Sequence, residues 1–240
     1  MTNPMMNPVL TGHGLLKTYG SVCALAGADL SVHAGESVAV MGPSGSGKTT
    51  LMHVLSGIIT PDEGQVQLRL PDGEDVALSA LNAEKRARLR RAHIGFVFQE
   101  GLLLPELSAV ENTAVPLMLA GVNRGAAEAA ATQWLGRLGL AGMELRRPAE
   151  LSGGQAQRVA IARAQVAEPP LVFADEPTGA LDSATSQQVL DALLESAAQR
   201  GAALVVVTHD SEVATRCSRL VQLEDGHVVH DSARQQVGAA

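Results

Sequence analysis

Residues 42–49 read Gly42-Pro43-Ser44-Gly45-Ser46-Gly47-Lys48-Thr49 and fit the pattern G-x-x-x-x-G-K-[ST]. In such a loop backbone N–H groups surround phosphate oxygens, the lysine reaches the β and γ phosphates, and the hydroxyl holds Mg²⁺. Thr50 follows directly and is counted with the binding loop. The flanks suit that chemistry. Apolar Ser37-Val38-Ala39-Val40-Met41 reads as a short buried strand, and Lys48 to Leu55 carries apolar residues three and four apart, as a helix does. Strand, loop and helix in this order put an anion at a helix N-terminus, where unpaired N–H groups and the helix dipole favour negative charge.

A second set of groups stands at the ends of apolar runs. Leu171-Val172-Phe173-Ala174 ends in Asp175 and Glu176. Asp175 is the candidate metal ligand, directly or through water, and Glu176 the candidate general base that polarises an attacking water. His209 follows Val205-Val206-Val207-Thr208 and can donate to a γ-phosphate oxygen. Gln99 follows Phe96-Val97-Phe98 and offers a carbonyl to Mg²⁺ and an amide to water. Lys48, Gln99, Glu176 and His209 are therefore the candidate catalytic groups, and Thr49, Gln99 and Asp175 the candidate metal set. Tyr19, the single tyrosine, has a ring that could stack on adenine or simply pack.

Leu151-Ser152-Gly153-Gly154-Gln155 is different in kind. Ser152 and Gln155 fit a capping box that opens a helix through Val159, Ala160, Ile161 and Ala164. One reading is a well-capped helix. However, two glycines in the first turn each sacrifice about 1 kcal/mol of helix propensity relative to alanine. That sacrifice makes sense where the backbone must approach something closely, and a second phosphate-seeking helix terminus is the natural candidate.

The elements that must position these groups follow from pattern. Residues 9–41 and 64–78 are rich in short alternating apolar segments broken by Gly, Asp and Pro, which predicts antiparallel pairing. Ile94–Phe98, Leu171–Ala174 and Ala203–Val207 are continuous apolar runs, the mark of strands buried on both faces of a parallel sheet. Between Leu102 and Ala167 the pattern is almost entirely helical and Ala-rich near 125–138. Leu102, Leu103, Leu104 and Leu107 form an apolar cluster suited to a groove or to the core.

The chain has 240 residues, enough to bury a proper core as one domain. With 18 Lys+Arg against 25 Asp+Glu the formal charge is −7, which disfavours an electrostatic grip on nucleic acid. The basic run Lys85–Arg91 reads as a solvated helix face, with anionic lipid or a partner as the other readings. Cys23 and Cys217 lack metal spacing and read as reduced packing residues. No apolar run reaches bilayer length and no signal-peptide pattern opens the chain, so a cytosolic location is expected. His13, His33, His53, His93, His227 and His230 each lack a second ligand at short spacing.

Taken in order, the phosphate loop, Gln99, the LSGGQ run, the strand ending Ala174-Asp175-Glu176, Gly179-Ala180-Leu181-Asp182 and His209 resemble the nucleotide-binding subunit of an ATP-binding cassette (ABC) transporter. The resemblance covers nearly the whole chain. It implies an α/β fold: a P-loop, RecA-like core with a mixed, mainly parallel sheet, an antiparallel β lobe at about 9–36 and 64–78, and a helical lobe at about 100–158. It also implies two copies packed head to tail, so that Ser152, Gly153, Gly154 and Gln155 of one close on ATP and Mg²⁺ held by the other. Asp182 would then communicate across the dimer, and the helical lobe would receive a helix of an integral membrane permease, present as two copies or one heterodimer. The segments 174–182 and 107–117 are similar to the ATPases of macrolide exporters, lipoprotein-release complexes, haem exporters and a cell-division pair. That subgroup implies a peripheral protein on the cytoplasmic face of the plasma membrane, driving an exporter or extractor. The alternative is an ATP-driven transmembrane switch that activates an external cell-wall enzyme without moving a solute. Against the family pattern, Gln165 stands where Leu is usual.

Overall fold

The computed structural model describes residues 7–179 and 181–233; Ala180 lies outside the described residues. Two sheets form. Strands β1 (Leu10–Tyr19), β2 (Val22–Val32), β4 (Glu63–Arg69) and β5 (Asp75–Ala77) make an antiparallel sheet in the order β2-β1-β4-β5. The second sheet runs β10-β9-β3-β8-β7-β6, built from β3 (Ser37–Met41), β6 (Ile94–Val97), β7 (Leu171–Asp175), β8 (Ala203–Val207), β9 (Arg219–Glu224) and β10 (His227–Asp231). All of its pairings are parallel except β9 with β10.

The continuous apolar runs do lie in strands covered on both faces. Along β7, Leu171 and Phe173 join one core cluster while Val172 and Ala174 join the other, as the two-residue period of a strand requires. In β8, Val205 and Val207 pair with the first set and Leu204 and Val206 with the second. The first cluster packs the sheet against α1 (Lys48–Leu55) and the antiparallel lobe. The second packs it against α3 (Ala109–Leu119), α4 (Arg124–Arg137), α5 (Gly153–Gln165) and α6 (Ser183–Ala198).

Several expectations need correction. Residues 102–167 are not almost entirely helical: 98–108 is a loop, and 138–152 holds only a 3₁₀ turn at Pro148–Glu150. Gly139 and Gly142 at φ 71° and 82° and Pro148 break the pattern there. Asn112, fully buried in α3, accepts from the Leu104 N–H and donates to the carbonyls of Leu104, Leu107 and Ser108, so the first loop is pinned. The basic run forms α2 (Ala83–His93), which buries no residue, yet it is more than a solvated face. Arg86, Arg90 and Arg91 donate to the carbonyls of Leu81, Gly57 and Leu119. Cys23 is exposed rather than packed, while burial pushes the Cys217 thiol up to about 11. Gln165 is fully buried and joins α5 to α6, donating to the Ser196 hydroxyl and accepting from Arg200. Arg200 and Arg137 in turn stack over Trp134 of α4. Among the described residues no helix is long and apolar enough to cross a membrane.

Candidate functional site

The parallel sheet determines where the chemistry gathers. β6, β7, β8 and β3 are neighbours running the same way, so Gln99, Asp175 with Glu176, His209 and the loop 42–49 all emerge at their carboxyl ends.

The loop is shaped by glycine where nothing larger fits. Gly47 stands at φ 101°, and a methyl group on it would lie 2.2 Å from the Ala24 carbonyl oxygen; on Gly42, at φ 155°, it would lie 2.0 Å from the Leu223 oxygen. Lys48 is nearly buried, and its Nζ donates to the carbonyls of Gly42 and Pro43 at 2.8 and 2.9 Å. The ammonium therefore has carbonyl dipoles but, among the described residues, no carboxylate partner within the loop. The Ser46 hydroxyl is buried without a hydrogen-bond partner. A cation hydrogen-bonded to neutral oxygens, a buried orphan hydroxyl and the uncapped N-terminus of α1, which has no acidic residue in its first turn, make a cradle that suits a polyphosphate.

At the tip of β7, Asp175 carries a carboxyl whose pKa is raised by burial and then by the adjacent Glu176 charge. His53, a hydrogen bond from Thr49, and Lys48 act in the opposite sense. Thr49 and Asp175 thus meet, and two oxygens of this kind beside a crowded negative charge suit a hard divalent cation. His53 was not singled out as a site residue. Its signal was there: four residues after Thr49 on α1, it shares Thr49's helix face.

Glu176 sits at φ 42°, a left-handed conformation that a glutamate seldom adopts, and its N–H donates to the Val207 carbonyl at 2.9 Å. Its Oε1 lies 3.0 Å from His209 Nδ1, while the His209 side chain is 68% exposed, which leaves Nε2 open. Gly179 lies beside both Gln99 and Glu176. A methyl group there would lie 3.0 Å from Gln99 Nε2 and 3.3 Å from Glu176 Oε2. Asp175, Glu176, the Gln99 amide and the His209 imidazole are thus assembled within one chain.

Tyr19 ends β1 and is 51% exposed, with Lys17 Nζ 5.7 Å from its ring centroid. It pairs with Val22, two residues before Ala24, whose carbonyl packs on Gly47. The C-terminal hairpin, which the sequence reading left out, completes the support. Gly226 N–H donates to the Ser46 carbonyl at 3.1 Å, and its own carbonyl accepts from Ala26 N–H at 3.0 Å.

The LSGGQ segment stands apart from this group. Ser152 and Gln155 form the capping box expected of them. Methyl groups on Gly153 and Gly154, however, would meet Leu181 and Thr185, at the start of α6. A methyl group on Gly154 would lie 2.1 Å from Thr185 Cγ2, so its close neighbour is in its own chain, whereas Ser152 and Gly153 are exposed and Gln155 is half-buried. Asp182 caps α6, accepting from the Thr185 N–H at 3.1 Å, and hydrogen bonds from the Thr185 side chain and backbone hold its carboxyl below the usual range.

Residues 25–179 match the ABC transporter family. The chain belongs to it. It is 46% identical over 228 residues to the lipoprotein-releasing system ATP-binding protein LolD 2 of Caulobacter vibrioides, covering 93% of this chain and 98% of that one. It is 44% identical over 231 residues to the macrolide export ATP-binding/permease protein MacB of Escherichia coli, covering 95% of this chain but 35% of MacB, so it spans about a third of that relative's length. Among solved structures it is similar to a dimeric ABC transporter cassette, MJ0796, at a TM-score of 0.83 and 36% identity, covering 92% of this chain and 97% of that one. The same cassette in a post-hydrolysis state, bound to ADP and Pi, gives a TM-score of 0.82. As an ABC ATPase the chain binds and hydrolyses ATP, and its paired sheets and helical layer are the ATPase cassette fold of that family.

Proposed function

We propose that this ATPase works as a homodimer with two composite sites, its cycle driving an integral membrane permease that exports or extracts its cargo. The observation that carries the catalytic assignment is the Glu176–His209 pair, 3.0 Å apart at neighbouring strand ends beside the phosphate loop. Glu176 accepts the proton of the attacking water, and His209, oriented through Nδ1, presents Nε2 to the γ-phosphate. Lys48 leaves its carbonyl partners for the β/γ oxygens, and Gly42 to Thr50 enclose the phosphates while Tyr19 stacks on adenine. Thr49, Asp175 and Gln99 would hold Mg²⁺, which would supply positive charge to offset that of the phosphates.

Exposed Ser152 and Gly153, with Gln155 of their capping box, serve the loop of a second copy, and Asp182 with its α6 cap carries that contact across the dimer. The dimeric state of MJ0796 supports this pairing. The chain is then one domain in three parts, the antiparallel lobe, the helical lobe and the core. An apolar groove bordered by Phe98, Leu102, Pro116 and Leu119 supports docking of the permease, and in this reading the protein sits peripherally on the cytoplasmic face of the membrane. The names of LolD 2 and MacB favour export or lipoprotein release over signalling to an external enzyme.

The test is Glu176→Gln. ATP binding is retained, turnover falls by at least about 100-fold, and the variant elutes as a dimer with ATP. Hydrolysis at the parental rate would remove the assignment of the base.

A further inference from the structure

Helix α5 starts with the LSGGQ segment and then grips the loop that carries Gln99. Gln157, Ala160 and Arg163 lie three residues apart on one side of α5. Buried Gln157 donates from Nε2 to the Phe98 carbonyl at 2.9 Å. Arg163 donates to the carbonyls of Gly101 and Leu102 at 2.6 and 2.8 Å. A methyl group on Gly101 would lie 3.2 Å from Gln157 Oε1 and 3.5 Å from the Ala160 Cβ. The loop thus lies directly on the helix, and its partners bracket Gln99 on both sides.

The backbone is bent to make these contacts. Gly101 and Leu102 stand at φ 69° and 46°, successive left-handed residues, the second a side-chain-bearing leucine that is 55% exposed. Arg163 is half-buried, its pKa is lowered by desolvation, and among the described residues no carboxylate bonds to it. Its charge is satisfied by two backbone carbonyls. An arginine kept for packing alone has no need of a planar fork aimed at two adjacent carbonyls, and lysine cannot reproduce that fork.

We infer that Arg163, with Gln157, is a positioning residue that locks the Gln99 loop to the LSGGQ helix, so that the helix and Gln99 move as one body. When the partner copy draws on Ser152 and Gly153, the same rigid element delivers Gln99 to the nucleotide of its own chain. This inference rests on the composite-site reading above.

The experiment is a double-mutant cycle on ATP turnover by the full chain, using Arg163→Lys and Gln99→Ala singly and together, with kcat and KM measured separately. Arg163→Lys lowers kcat by about tenfold while the KM for ATP stays within about twofold, because the phosphate cradle is untouched. In the Gln99→Ala background the same change alters kcat by less than about twofold, since the group it positions is gone. Equal fold-losses in the two backgrounds, or an Arg163→Lys enzyme with full kcat, overturn the inference. Gln157→Leu, which cuts the Phe98 bond at nearly constant volume, carries the same cycle if Arg163→Lys does not fold. Glu176→Gln separates the two failures: full turnover in that variant counts against the assignment of the site, whereas an additive cycle with Glu176→Gln inactive counts against the clamp alone.

Discussion

Gly154 offers a sharp test of what the second glycine of the LSGGQ run is for. In Gly154→Ala the new Cβ would lie 2.1 Å from Thr185 Cγ2, where carbon atoms ordinarily rest about 3.5–4.0 Å apart. The helix must shift against α6 by well over an ångström, or Thr185 must leave its rotamer. Overpacking of this kind costs about 1–3 kcal/mol. Alanine returns about 1 kcal/mol of helix propensity. The net loss is about 1 kcal/mol, which for a chain of this size lowers Tm by about 2–4 °C. Thr185→Ser deletes only the clashing methyl and keeps the hydroxyl that bonds Asp182. In that background Gly154→Ala becomes neutral or stabilising, giving a coupling of about 1–2 kcal/mol. Thermal unfolding of the four proteins without nucleotide measures it. If Gly154→Ala lowers Tm equally with Thr185 and with Ser at that position, the glycine does not serve helix packing. Gly153 supplies the contrast, since an added methyl meets only the flexible end of Leu181, at 3.2 Å. Gly153→Ala leaves Tm within about 1 °C and lowers turnover.

Two further predictions concern titration. Asp62 is bound by Lys17 Nζ, the Thr18 N–H and the Thr18 hydroxyl at 2.7, 2.7 and 2.9 Å, and these contacts, Lys17 foremost, hold its carboxyl down at about 2. Its unfolded value is 3.8, so the unfolded chain takes up the proton first. The stabilisation it provides is complete above about pH 4 and is lost as pH falls toward 2; Asp62→Asn removes that component from a plot of Tm against pH. Cys217 is raised to about 11 by burial, whereas Cys23 is exposed. At pH 8 a thiol reagent labels Cys23 and spares Cys217 until the chain unfolds, and labelling at equal rates would contradict its burial. The same shift gives a contribution to stability present below pH 9 and lost as pH rises toward 11.

Much of the site was legible because its parts are local. A phosphate loop, an apolar strand ending in two acids and a capping box are each written within about ten residues, and chain geometry alone forces their shape. The C-terminal hairpin was legible too and went unused. Asp225-Gly226 lies between the alternating runs 219–224 and 227–231, and both turn residues take positive φ, 46° and 77°, as a primed hairpin turn demands. His53 could have been found from its four-residue spacing to Thr49.

Other features have no short-range signal. The three arginines of α2 look like solvated charge because their carbonyl acceptors at Leu81, Gly57 and Leu119 are scattered along the chain. Gln165 reads as an anomaly until Ser196 and Arg200 come to meet it. By itself the sequence determined which chemistry the chain can perform, since the order of loop, acids, amide and imidazole sets their types and the strands that carry them. Tertiary structure alone decided which neighbour each group meets: Glu176 with His209, Gly154 with Thr185, Arg163 with the Gln99 loop. A motif is enforced by dihedral angles and hydrogen bonds between near neighbours, whereas contacts across tens of residues exist only after the sheet and its helices have packed.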